Sequence, residues 1–168
     1  GSGGVGVVYK AHDTKLDRIV ALKFLSPHLG SDANAKTRFV REAQAASGLD
    51  HPSICTIHEV GETDDGQSFI AMAYYDGSTL QDLIEKRQVK IDDAASIARQ
   101  MAKGLSTAHE AGIVHRDVKP ANVMVTRKGL VKLLDVGVAK LGQSSDLTRE
   151  GSTIGTASYM SPEQARGE

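Results

Sequence analysis

Eight residues, His115-Arg116-Asp117-Val118-Lys119-Pro120-Ala121-Asn122, stand between the short apolar pieces Ile113-Val114 and Val123-Met124-Val125. Polar groups packed this densely between two branched apolar runs read as a loop hung from buried strands, and reactive groups concentrate on such loops. Asp117 is suited to accept a proton from a hydroxyl, and Asn122 to bind a metal ion through oxygen. A chain that displays these groups must hold the loop from rigid structure on both sides.

The first residues narrow the chemistry. Gly1-Ser2-Gly3-Gly4-Val5-Gly6 is a run in which backbone N–H groups can approach phosphate oxygens with no Cβ in the way. The plain alternative is a flexible turn. A dinucleotide-binding turn would follow a strand and open a helix. Here a strand-like segment, Val7 to Ala11, follows the glycines, which argues against that reading. Val20-Ala21-Leu22-Lys23 then places one ammonium in an apolar strand. Unless Lys23 snorkels to the surface, it needs an anionic partner. Glu42, on the inner face of the next helix, can supply one. Asp135-Val136-Gly137 closes the apolar strand Val131 to Leu134, and a carboxylate so placed can coordinate Mg²⁺ bridging two phosphates.

Periodicity predicts the remaining elements. Val7–Ala11, Ile19–Leu25, Ile54–Val60 and Ser68–Ala73 read as strands, with a turn at Thr63 to Gly66. Asp32–Ser47 reads as a helix with Phe39, Ala43 and Ala46 on one face. Ser78 is positioned to cap a helix over Thr79–Lys86. The longest helix, Asp92–Glu110, repeats Ile97, Met101, Leu105 and Ala108 at helical spacing and ends at Gly112. Gln143 to Ser152 is polar and loop-like. Strands precede helices, which suggests an α+β protein in two lobes with a hinge near Tyr74 to Gly77.

Composition removes other classes. A net charge of -1 provides no field to attract nucleic acid or an anionic membrane, and 4% aromatic residues with no Trp leave few base-stacking platforms. The single cysteine, Cys55, rules out a disulfide framework and reads as a small core residue in a reducing compartment. No apolar run approaches the ~18 residues of a membrane span, although an anchor beyond residue 168 is compatible with the sequence.

Taken in order, the glycine loop, Lys23, Glu42, Asp117 with Asn122, Asp135 and Ser161-Pro162-Glu163 resemble the signature set of protein kinases over the whole chain. Gly6-Val7-Val8-Tyr9-Lys10-Ala11 and Tyr159-Met160-Ser161-Pro162-Glu163-Gln164-Ala165 resemble the bacterial branch of eukaryotic-like serine/threonine kinases. The resemblance implies a bilobal kinase fold, with a small β-rich lobe over about residues 1–75 and the first part of a mostly helical lobe over about 76–168. It implies transfer of the γ-phosphoryl group of ATP to serine or threonine of proteins, with Mg²⁺ (Mn²⁺ as the alternative). Gly1, Ser2, Gly3, Gly4 and Gly6 would then cover the phosphates, and Lys23, paired with Glu42, would hold the α- and β-phosphates. Asp117 would be the catalytic base, and Lys119 would contact the γ-phosphate. Asn122 and Asp135 would hold the metal. Val8, Ala21 and Met124 would clamp the adenine, with Met72 as gatekeeper and Ala73 to Tyr75 as hinge. Thr148, Ser152 and Thr153 would be phosphate acceptors in a segment controlled by autophosphorylation, which invites self-association in trans.

Three positions depart from the pattern. Val136 stands where a Phe is usual beneath the Glu42 helix, and the smaller side chain is expected to loosen that packing. Ala73 stands where an acidic residue is common, and Ser161 where Ala is. The chain also begins inside the glycine motif and stops just after Glu163, so the domain is expected to extend past both ends and these residues alone to be inactive. A catalytically silent kinase-like scaffold and a small-molecule phosphotransferase are the competing readings. The filled charged positions argue against the first, and Lys119 with the segment Thr156 to Glu163 against the second.

Overall fold

The computed structural model describes residues 2–3, 6–26, 33–137 and 158–166. Five strands, β1 (Ser2–Gly3), β2 (Gly6–Asp13), β3 (Arg18–Phe24), β4 (Ile57–Glu62) and β5 (Ser68–Ala73), form one antiparallel sheet in the order β1-β2-β3-β5-β4. Helix α1 (Ala33–Ser47) covers it with a stripe of Ala35, Phe39, Ala43 and Ala46, spaced at four, four and three residues so that all lie on one helical face. With Leu25, Cys55, Ile70 and Met72, this stripe builds the first core.

Downstream, β6 (Gly77–Thr79), β7 (Val123–Thr126) and β8 (Val131–Leu133) make a second antiparallel sheet. It packs with helices α2 (Leu80–Glu85) and α3 (Ile91–Glu110); a short helix α4 (Pro162–Arg166) lies at the end of the described chain. Ile54, Ile97, Ala108, Val123, Val131, Leu133 and Val136 form the second core. Gly104 allows α3 to press onto β8, since a Cβ there would meet Leu133 Cδ1 at 2.9 Å. Two cores on either side of the 74–76 segment agree with the α+β, two-lobed expectation.

Two boundaries differ from the sequence reading, each for a tertiary reason. The strand expected over Ile54–Val60 begins only at Ile57. Ser53, Ile54 and Cys55 are instead bound to β8: the Cys55 N–H donates to Leu133 O at 2.9 Å and the Leu133 N–H to Ser53 O at 2.7 Å. Cys55 is buried as expected, but at the seam between the two sheets rather than inside a strand. The cap expected from Ser78 comes from Thr79. Its Oγ1 accepts the Asp82 N–H at 3.0 Å, while Asp82 Oδ2 accepts the Thr79 N–H at 3.2 Å. Ser78 is occupied in β6, paired with Val125. The loop expected over 143–152 lies outside the described residues.

Candidate active site

A cleft of about 300 Å³ opens where the two sheets face each other. Val8, Ala21, Met72, Met124 and Leu134 give it apolar walls, and Lys23 and Asp135 lie at its polar end. The strand registers bring these residues together. Val8 pairs with Lys23, and Ala21 with Met72, while Ala21 and Lys23, two apart in β3, share a face. The segment Ala73 to Tyr75 forms the back edge, where the Tyr75 hydroxyl accepts the Thr56 N–H at 3.2 Å and ties the crossing between the lobes to the seam below it.

Lys23 is 5% exposed within this otherwise apolar strand. Its Nζ lies 2.7 Å from Asp135 Oδ1. The sequence reading named Glu42 as its partner, but in the structure the ion pair of Lys23 is made with Asp135, across the cleft from the lobe that carries α1. Glu42 stands partly exposed on α1. Asp135 sits at φ +57°, a left-handed conformation that Asp tolerates better than most residues, and Gly137 follows at φ +73°. The sharp reversal after β8 aims the carboxylate back toward the cleft.

The loop at 115–122 is knit by its own polar groups. Asn122 Nδ2 donates to both Asp117 O and Asp117 Oδ2, each at 2.9 Å. Lys119 Nζ lies 2.9 Å from the same Oδ2. One carboxylate is thus oriented by an amide and an ammonium, and the carbonyl end of Asn122 is the part of that side chain suited to a cation. Arg116, just before Asp117, has φ +63°. His115 beneath it is 2% exposed, and its Nδ1 accepts the Asp117 N–H at 3.4 Å. Burial pushes the His115 ring below the usual imidazole range, so the ring is held neutral under the loop. Burial, followed by the nearby Asp135 carboxylate, pushes the Cys55 thiol up to about 12, which fits its reading as an inert core residue.

A family model described as the protein kinase domain matches residues 1–168. The chain belongs to the protein kinase domain family. It is 46% identical to a probable serine/threonine-protein kinase of Streptomyces coelicolor, over 100% of this chain and 26% of that protein. It is 43% identical to the serine/threonine-protein kinase pkn3 of Myxococcus xanthus, over 99% of this chain and 32% of that protein. With PknB of Mycobacterium leprae the identity is 40%, over 100% of this chain and 28% of that protein. The kinase domain of Mycobacterium tuberculosis PknI superposes with a TM-score of 0.73 at 36% identity, covering 83% of this chain and 56% of that one. The chain spans about a quarter to a third of the curated relatives it matches.

Within this kinase domain the structure pairs Lys23 with Asp135 and, separately, joins Asp117 with Asn122 and Lys119, and it lines the cleft with Val8, Ala21, Met72, Ala73, Tyr75 and Met124. Ser2 and Gly3 lie in β1, paired with Val7 and Gly6 of β2. Gly1, Gly4, Thr148, Ser152 and Thr153 lie outside the described residues. Val136 is 3% exposed and borders a cavity of about 20 Å³ whose wall includes Ala46 of α1 and Met72. That void lies where the sequence reading expected the smaller side chain to leave slack. Among the described residues no three acidic, His or Cys side chains cluster as a metal cage, and no helix is long and apolar enough to cross a membrane. Sequence reasoning passed over Gln164, whose Nε2 donates to Arg116 O at 2.7 Å. The only available signal was its place three residues after Ser161, which marks a helix N-terminus but says nothing of the distant carbonyl.

Proposed function

We propose that the chain is the nucleotide-binding and catalytic part of a kinase that transfers the γ-phosphoryl group of ATP to serine and threonine hydroxyls of proteins. The observation that carries this reading is the single carboxylate of Asp117, oriented by Asn122 and Lys119, in the same chain as an apolar cleft that ends in the Lys23–Asp135 pair. Adenine suits the apolar walls between Val8, Ala21 and Met124. The triphosphate then runs toward Lys23, whose ammonium has donors left for phosphate oxygens after meeting Asp135. Lys119 stands beside the base and neutralises negative charge that develops on the transferred group. Asp117 accepts the proton of the attacking hydroxyl.

The donor set fits Mg²⁺. Asp135 and Asn122 offer hard oxygen ligands that would hold such a cation. When bound, the ion would supply positive charge that offsets the negative charge of the phosphates. Arg116 is exposed beside the base, and a phosphate on Thr148, Ser152 or Thr153 would give it an anionic partner that orders the segment 141–153. Transfer between two copies is the proposed route to that modification. Phosphoamino-acid analysis after autophosphorylation of the full-length protein tests the acceptor class. Phosphothreonine and phosphoserine are expected, and predominant phosphotyrosine would refute the assignment.

A further inference from the structure

Among the described residues Gln164 makes three hydrogen bonds, two of them within its own helix cap and one to a distant segment. The Ser161 N–H donates to Gln164 Oε1 at 3.0 Å, and the Gln164 N–H donates to Ser161 Oγ at 3.3 Å. This reciprocal ring caps α4 and fixes the rotamer of the glutamine. The third bond leaves the helix: Nε2 donates at 2.7 Å to the carbonyl oxygen of Arg116, 48 residues upstream.

The acceptor stands at a vulnerable point. Arg116 has φ +63°, where a side chain with a Cβ is strained, and such a conformation persists only when its surroundings hold it. The next residue is Asp117, whose N–H, carbonyl and carboxylate all take part in the loop's internal bonds. A donor that fixes the Arg116 carbonyl therefore fixes the peptide plane leading into the base. It also joins that plane to residues 161–166, a different stretch of chain.

We propose that Gln164 is a positioning residue for the reaction, a strut that holds the left-handed turn at Arg116 so that Asp117 presents its carboxylate correctly, and that it links the setting of α4 to the competence of the loop. The strut acts on the attacking side of the reaction and not on nucleotide binding, because Gln164 does not line the cleft. The inference rests on the proposed phosphoryl transfer for its kinetic consequence, but its structural content is independent of it.

The experiment compares Gln164→Glu with Ser161→Ala in the full-length protein. Gln164→Glu keeps the side-chain oxygen that receives the Ser161 N–H and removes the donor to Arg116. Ser161→Ala breaks the capping ring and leaves that donor in place. Peptide phosphorylation with radiolabelled ATP should show kcat reduced roughly 3- to 10-fold in Gln164→Glu, the scale of one lost hydrogen bond, with KM for ATP unchanged. Ser161→Ala should leave kcat within about 2-fold. Hydrogen exchange, which needs no turnover, should show faster exchange of amides 115–119 in Gln164→Glu alone, with α3 unchanged. Equal kcat losses in the two variants, or unchanged exchange at 115–119, would overturn the strut. If the parent protein transfers no phosphate, the functional reading fails, and the exchange result alone decides the strut.

Discussion

Asp135→Asn should destabilise the kinase domain far more than Lys23→Met, although the two substitutions break the same ion pair. At 2.7 Å and an effective dielectric of about 20, the attraction is on the order of 6 kcal/mol, and it offsets the several kcal/mol lost when each ion leaves water. The partners are not equally buried: the Lys23 side chain is 6% exposed and that of Asp135 30%. Removing the carboxylate charge strands an ammonium in an apolar wall, with an expected cost of roughly 3 kcal/mol. Asn retains an acceptor and tolerates φ +57°, so the loss reports charge and not backbone strain. Removing the ammonium leaves a carboxylate that can recover water, and Met suits the apolar strand, so the cost should stay below about 1 kcal/mol. For a domain of this size the difference corresponds to on the order of 5–10 °C in Tm. Urea unfolding of both variants at pH 7.5, followed through the kinase domain's own transition with equal slopes, measures it. An Asp135→Asn loss no larger than that of Lys23→Met would refute the reasoning, and would show that Glu42 takes over the ammonium.

Three further outcomes follow, two from the structure and the third from the sequence. His115 is held neutral by burial, so its folded-state value lies below the ordinary one near 6.5; its contribution is complete above pH 6.5 and is lost as pH falls through that value, where the unfolded chain takes up the proton. His115→Phe should flatten the stability profile between pH 7 and pH 5, and an unchanged slope would contradict the assignment. Cys55, with its thiol pushed up to about 12, should resist iodoacetamide at pH 8 until the protein unfolds, and rapid labelling of the folded protein would contradict its burial. The double variant Thr148→Ala/Thr153→Ala should lose activation by preincubation with ATP, and full activation would show that the switch lies elsewhere.

The parts of the fold that the sequence discloses are those set by local pattern. The stripe of Phe39, Ala43 and Ala46 and the spacing of Ile97 and Ala108 follow from helical period and the burial of apolar faces, so α1 and α3 were legible within a residue or two. Positive φ at Gly66 and Gly112 accounts for the turn and the helix stop read from those glycines. What escaped depends on contacts between distant segments. Ile54 has the composition of a strand, but its neighbours Ser53 and Cys55 are claimed by Leu133. Gly77 to Thr79 forms a strand because β7 comes close enough that a Cβ on Gly77 would meet Val125 O at 2.2 Å, a contact invisible in three residues of sequence. At the site, residue types and their order singled out Asp117, Asn122, Lys23 and Asp135 as candidates and the resemblance added Lys119, while the structure places Asp117 against Asn122 and Lys119, and Lys23 against Asp135. The choice between Asp135 and Glu42 as the partner of Lys23 depends on how the two lobes face each other, and the Gln164–Arg116 bond on where α4 comes to rest.

The central claim is that Asp117, oriented by Asn122 and Lys119, is the base for phosphoryl transfer. Radiolabel transfer from γ-labelled ATP to a protein acceptor by the full-length Asp117→Asn variant, alongside its affinity for ATP, tests it most directly. The account predicts a kcat at least ~10²-fold below that of the parent with ATP affinity little changed, since Asp117 lies outside the apolar cleft. Near-parental transfer by Asp117→Asn would contradict it.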